Sequence, residues 1–156
     1  FRTINNIYKK DTGDIFINQQ SVNDNPILRE SIFYLDERYK FIDNQTIKKV
    51  VCYYEKLYTK FDREKLSSLL TKYNLDENSK VYQLSKGNQA LFNMILAFSC
   101  QCSIYLFDEP FDGLDLIIKK KVMSLLLHEV SFNQCSIVIS SHNLQELESL
   151  IDHAII

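Results

Sequence analysis

Apolar and polar positions follow two rhythms along the chain. Largely apolar runs bounded by turn or charged residues occupy 32–35, 103–107 and 135–140, and such runs suit strands covered on both faces of a parallel sheet. A turn at Asp11-Thr12-Gly13 leads into alternation at 15–17, which predicts a short strand, and 153–156 reads as a last one. The other rhythm is helical. Apolar residues at Phe1, Ile4, Ile7 and Tyr8 have the spacing of the back half of a helix, and Asn25-Pro26 marks a break. Long amphipathic stretches at 46–59 and 62–73 follow with no strand pattern between them, so 39–81 reads as a helical insert. Asp62 is placed to cap the second stretch, although Lys65 stands where a capping box would have glutamate. Further helices are expected from 84–89 to about 99, over 116–131 and over 144–151. Strands and helices in this order give an α/β class.

Composition narrows the picture. With 156 residues, 46% hydrophobic and 24% charged, the chain is expected to be a soluble globular domain with a core of its own. Its 18 basic and 20 acidic residues are interleaved and leave a net charge of −2, so no positive field recruits nucleic acid or anionic lipid. The four cysteines, Cys52, Cys100, Cys102 and Cys135, form no C-x-x-C pair and lie in apolar stretches, which predicts buried, reduced thiols. No apolar run approaches the ~20 residues of a membrane span, so direct membrane insertion is not expected. The chain opens at Phe1 without methionine, and the numbering is expected to begin inside a longer chain.

The strand at 103–107 ends in Asp108-Glu109-Pro110, where proline stops the ladder and two carboxylates meet at the carboxyl edge of the sheet. This suits magnesium-assisted phosphoryl transfer, with Asp108 serving the metal and Glu109 orienting or deprotonating the attacking water. The same wording is also how an ordinary strand leaves a core. Ser85 and Gly87 precede an apolar helix, which makes either an anion site or an ordinary serine cap. His142 sits at the tip of the strand at 135–140, unlike His128 on a helix. Aromatic residues Tyr39, Phe41, Tyr53, Tyr54, Tyr58, Phe61 and Tyr73 form the insert's own core or a docking face.

Together these motifs resemble, in order and spacing, the nucleotide-binding subunit of an ATP-binding-cassette (ABC) transporter over essentially the whole chain. LSKGN at Leu84 to Asn88 is similar to the LSGGQ signature, IYLFDEP to the Walker B strand with its catalytic glutamate, and FDGLD at Phe111 to Asp115 to the D-loop. SSH ending at His142 resembles the switch histidine, and Glu37, after Phe33-Tyr34-Leu35-Asp36, falls at the Q-loop. The resemblance implies a P-loop NTPase-like, mainly parallel sheet with a RecA-like core at 1–38 and 82–156 and a helical subdomain at 39–81. It implies ATP and Mg2+ as ligands, Asp108 at the metal, and Glu109 and His142 as catalytic residues. Ser85, Lys86, Gly87 and Asn88 would contact the nucleotide of a second cassette across a head-to-tail dimer, Asp115 would make the cross-dimer contact, and Glu37 would be a nucleotide-binding residue at the Q-loop. Transmembrane permease subunits would hold the protein at the inner face of the cell membrane, and the Asp-Glu-Pro and Gly-Leu-Asp wording looks most like exporters of drugs or peptides.

Departures from the family pattern are specific. Lys86 replaces a signature glycine and Asn88 the glutamine, Glu37 stands where glutamine is usual, and Leu116 where proline is common. No phosphate loop of the form G-x-x-x-x-G-K-S/T occurs, so the resemblance implies a cassette whose first fifty or so residues precede Phe1. In that cassette the strand leading into the phosphate loop would lie between 135–140 and 153–156, at the middle of the sheet. The alternative readings are a non-transport ABC ATPase of the translation or DNA-repair type, and a degenerate cassette that binds without hydrolysing.

Overall fold

The computed structural model describes residues 1–22, 25–36, 42–143, 147–148 and 150–155. A small hairpin, β1 (Phe16–Ile17) and β2 (Gln20–Ser21), precedes a short helix α1 (Pro26–Glu30) and strand β3 (Ile32–Asp36). Two insert helices follow, α2 (Ile47–Leu57) and α3 (Arg63–Lys72). A 3₁₀ turn at Val81–Gln83 then leads to α4 (Lys86–Ser99), β4 (Ile104–Asp108), α5 (Leu116–Phe132) and β5 (Ser136–Ser140). The strands β3, β4 and β5 lie in that order in one parallel sheet, whose last rung aligns Asp36 with Asp108 and Asp108 with Ser140.

Side-chain alternation sends each strand's residues to two faces. On one face Phe33, Tyr105 and Phe107 join the buried side of α4 in a single apolar cluster that also takes in Val50, Val51, Leu66 and Leu70 of the insert and Val122 and Leu126 of α5. The other face is thinner: Ile32 and Leu106 pack with Val22, and Phe1, Ile4, Ile15 and Ile17 lean against them. The insert's aromatics serve this cohesion as well as its own packing, because Tyr54 and Tyr58 stack on each other and both pack against Phe33 of β3. Tyr53 of the same helix is exposed, and Tyr39 and Phe41 lie outside the described residues.

Cap chemistry sets most helix starts. Thr46, Asp62, Ser85 and Asp115 each accept from an N–H of the first turn, and so does Asn25, which with Pro26 opens α1. The Asn25-Pro26 pair is therefore a helix start as well as a break. Other expectations are corrected. Residues 1–8 form turns in place of a helix: the Asn5 N–H reaches the Phe1 carbonyl, but Asn6 takes a left-handed φ of 58° and helical bonding stops. The strand β5 is not buried, since only Ile137 and Ile139 pack against the core and Val138 faces outward. Residues 153–155 carry no strand: pairing requires a neighbour to share its N–H and C=O groups, and among the described residues none lies beside them. Of the helix expected over 144–151, residues 144–146 and 149 lie outside the described residues, while Leu147 is buried and its carbonyl accepts from Leu150. Cys52 is exposed on α2, unlike Cys100 and Cys102.

Burial pushes the Cys102 thiol up to about 12 and raises that of Cys100 as well. At pH 8 both remain protonated, below their raised values, and a thiol-alkylating reagent should label Cys52 while sparing them until the protein is unfolded. Peptide mass spectrometry reads the order. A second expected outcome concerns Glu129 of α5, only 3% exposed, which accepts from Lys65 of α3 at 2.8 Å on both oxygens and from Asn133 at 2.9 Å. Lys65→Met leaves that carboxylate buried without its cation and should cost about 3–5 kcal/mol, whereas adding Glu129→Leu should recover most of the loss. Denaturant midpoints of the two variants check this.

Candidate functional site

Asp108 ends β4, and the chain turns at once. Glu109 follows with φ 53°, a left-handed value costing an L-residue about 1–2 kcal/mol that the surroundings must offset. Its N–H is held by the Ser140 carbonyl at 3.1 Å and the Ser140 hydroxyl at 3.3 Å. The same hydroxyl donates to Asp108 Oδ1 at 2.6 Å. His142, two residues past the end of β5, places Nδ1 3.0 Å from Glu109 Oε2. The histidine side chain is 74% exposed and the glutamate 36%, so the pair faces solvent at the carboxyl edge of the sheet. His142, predicted from one stretch, thus lies beside Glu109, predicted with Asp108 from another.

The next residues form a tight turn. Asp112 N–H bonds back to the Glu109 carbonyl, Gly113 has φ 64°, and Asp115 Oδ1 accepts from Ile117 and Ile118 N–H at 2.9 Å each as the cap of α5. Lys86, at the start of α4, reaches Asp112 Oδ2 at 3.4 Å, and a Cβ at position 113 would sit 2.5 Å from its ammonium nitrogen. Gly87 is a close approach between helices: an added Cβ would lie 2.7 Å from the Ile118 side chain. Ser85 Oγ accepts from Asn88 N–H at 3.3 Å. Ser85, Lys86, Gly87 and Asn88 therefore gather at one helix N-terminus beside the start of α5, joined to the acidic tip through the 109–115 turn. Glu37 lies outside the described residues.

Three groups absent from the sequence expectations belong to the same neighbourhood. Asp36, 6% exposed, sits beside Asp108 on the last rung and receives Arg2 Nε and Nη2 at 3.0 and 2.7 Å and the Tyr34 hydroxyl at 3.0 Å. Arg2 supplies the positive charge that two adjacent strand-end carboxylates require, and its own proton affinity rises through those bonds. Burial first, and then the bond to Asp36, push the Tyr34 phenol up to about 12. Gln89, next to the signature-like run, ties α4 to the preceding turn by donating to the Val81 and Leu84 carbonyls. Ser140 is the third; the Ser140-Ser141-His142 run was its only sequence signal. A cavity of about 480 Å³ runs from Tyr34 and Asp36 to Lys86, Gln89 and Asn93, between the end of β3 and the signature helix.

A carboxylate at a strand tip, an acid–histidine pair and a helix N-terminus make a donor set for phosphate with a hard divalent cation. Among the described residues no cluster of three or more acidic, histidine or cysteine side chains could cage a metal alone. Asp108, a single carboxylate at the strand tip, suits magnesium, which takes one or two carboxylates and completes its shell with phosphate and water.

A family model described as "AAA domain, putative AbiEii toxin, Type IV TA system" matches residues 5–148. The ABC transporter ATP-binding protein YtrB of Bacillus subtilis (strain 168) is 30% identical over 149 residues, 96% of this chain and 51% of the relative. The chain belongs to the ABC-type P-loop ATPases. The uncharacterized ABC transporter ATP-binding protein YhaQ of the same organism is 31% identical over 135 residues, 81% of this chain and 44% of that protein. An ATP-binding subunit of an ABC transporter superposes with a TM-score of 0.82 at 23% identity, covering 97% of this chain and 65% of the other. A putative cobalt transport ATP-binding protein does so at 0.73 and 26%, covering 94% and 54%. This ABC ATPase chain thus has the P-loop NTPase fold expected of it, and spans about half the length of the curated relatives it matches.

In the ABC ATPase the cap role of Asp115 can be separated from any contact across a dimer. Asp115→Ala should lower stability by about 1 kcal/mol through loss of the cap, and Asp115→Ser should restore it. Thermal unfolding of the two variants reads the difference.

Proposed function

We propose that the chain is part of the ATP-hydrolysing subunit of an ABC transporter, working as one of two cassettes associated head to tail. The observation that carries this reading is the 3.0 Å approach of His142 Nδ1 to Glu109 Oε2 at the tip of the strand that ends in Asp108. Glu109 orients the attacking water and draws its proton. His142 holds that carboxylate and meets the γ-phosphate, and Asp108 serves the magnesium that accompanies ATP. The ion, when bound, neutralises charge on the phosphate oxygens. Ser85, Lys86, Gly87 and Asn88 offer a helix N-terminus to the nucleotide of the partner cassette. Asp115 adds the contact across the dimer, and Glu37 follows β3 as the Q-loop residue.

Residues 39–81 act as the helical subdomain against a core of 1–38 and 82–156. Exposed Tyr53 and Leu57 on α2 support a permease-facing surface there, and no helix among the described residues is long and apolar enough to cross a membrane. Export of a drug or peptide is favoured by the Asp-Glu-Pro and Gly-Leu-Asp wording. Against that stand relatives named for ribose import and carnitine transport, so direction is decided by transport assays on the assembled complex. A second reading, a cassette that binds without hydrolysing, is favoured by Lys86 in the signature-like run engaging Asp112.

In the intact subunit, Glu109→Gln should preserve ATP binding while turnover falls by roughly 10²–10⁴, the worth of a positioned acid–base group. Phosphate release measures turnover, and an ATP-bound dimer should accumulate on size exclusion. Unchanged turnover would move the water-activating group elsewhere, and absent wild-type turnover would favour the binding module.

A further inference from the structure

The last rung of the sheet carries three polar residues side by side, Asp36, Asp108 and Ser140, each the cross-strand partner of the next. Paired residues on parallel strands project to the same face, so Asp108 stands between a carboxylate and a hydroxyl. The carboxylate side is closed off. Asp36 is buried under Arg2 and the Tyr34 hydroxyl, which occupy it with charge-assisted bonds. The hydroxyl side is where Asp108 turns, and its contact with Ser140 Oγ, at 2.6 Å, has the length of an O–H bond to an ionised carboxylate.

Ser140 does more than donate once. Its hydroxyl oxygen also accepts from the Glu109 N–H at 3.3 Å, and its carbonyl accepts from the same N–H at 3.1 Å. One side chain therefore orients the carboxylate of Asp108 and, through its own acceptor capacity, the left-handed backbone that aims Glu109 at His142. A hydroxyl that donates to one group while accepting from the next polarises in a single direction, which strengthens both bonds.

We propose that Ser140 is a positioning residue for the metal-binding carboxylate: its hydroxyl fixes the orientation of Asp108, and with it the divalent-cation affinity of the nucleotide-loaded site. This rests on the reading of Asp108 as the magnesium carboxylate. Groups that hydrogen-bond a ligating carboxylate typically change metal affinity 10–100-fold when lost, because the ligand must then be oriented at the moment of binding. Serine is the smallest residue that can make all three contacts, and threonine keeps the hydroxyl while suiting a strand.

The test uses the intact ATP-binding subunit loaded with a non-hydrolysable ATP analogue, with Mn2+ affinity read by electron paramagnetic resonance. Ser140→Ala should weaken Mn2+ binding about 10-fold or more while leaving metal-free affinity for the analogue unchanged, and Ser140→Thr should restore it. In steady state the Mg2+ concentration for half-maximal turnover should rise by the same factor. Wild-type Mn2+ affinity in Ser140→Ala, alongside a loss in Asp108→Asn, would overturn the proposal and leave Asp108 in place. Equal losses of metal-bound and metal-free nucleotide affinity, unrescued by threonine, would also overturn it by showing a general disturbance of the sheet. Asp108→Asn with full metal affinity would remove the reading of Asp108 and this proposal with it.

Discussion

Parallel strands pair well only when both faces of their sheet are covered, and much of this molecule is arranged to provide that cover. On one face the cover is deep, with α4 pressed on Phe33, Tyr105 and Phe107 and the insert helices packed into the same cluster. On the other it is a strap, in which Phe1, Ile4, Ile15, Ile17 and Val22 shield Ile32 and Leu106. The strap brings Arg2 to the end of β3, so the segment that closes the second face also supplies the cation for Asp36. The rung holding Asp36, Asp108 and Ser140, at the carboxyl end of the strands, is polar on all three. The chemistry of the site thus gathers at one edge of the sheet.

Charges inside the fold obey a matching rule. Glu129 and Asp36 are both buried carboxylates, and each meets a partly exposed cation from a different part of the chain, Lys65 of the insert and Arg2 of the strap. Burying either carboxylate alone would be costly, so each carboxylate requires the cation that another segment brings to it. The exposed Lys86–Asp112 pair is of another kind, since water screens it and its worth in stability is small.

The sequence displayed whatever depends on neighbours along the chain. The strand at 104–108, the helix beginning after Ser85 and the caps at Asp62 and Asp115 all follow from local periodicity and short side-chain reach. The motif order also pointed to Asp108, Glu109 and His142; His142 meets Glu109, while Asp108 is bonded to Ser140. Hidden from it were contacts across long separations: Ser140 lies 32 residues from Asp108, and Arg2 lies 34 from Asp36, so only strand register and the strap reveal them. Residues 1–8 have helical spacing without a helix because Asn6 leaves the helical region, a conformational choice that apolar periodicity does not encode. The open face of β5 was equally illegible, since an apolar run states that a strand can be buried and not which side finds a partner.

The left-handed Glu109 carries a consequence for biosynthesis. Its backbone is held from Ser140, 31 residues later in the chain, so the tip of β4 cannot take its working shape while a ribosome is still making α5. At roughly 5–20 residues per second that interval lasts on the order of 2–6 s. During it the nascent chain carries its two strand-end acids with neither the serine nor the histidine to arrange them.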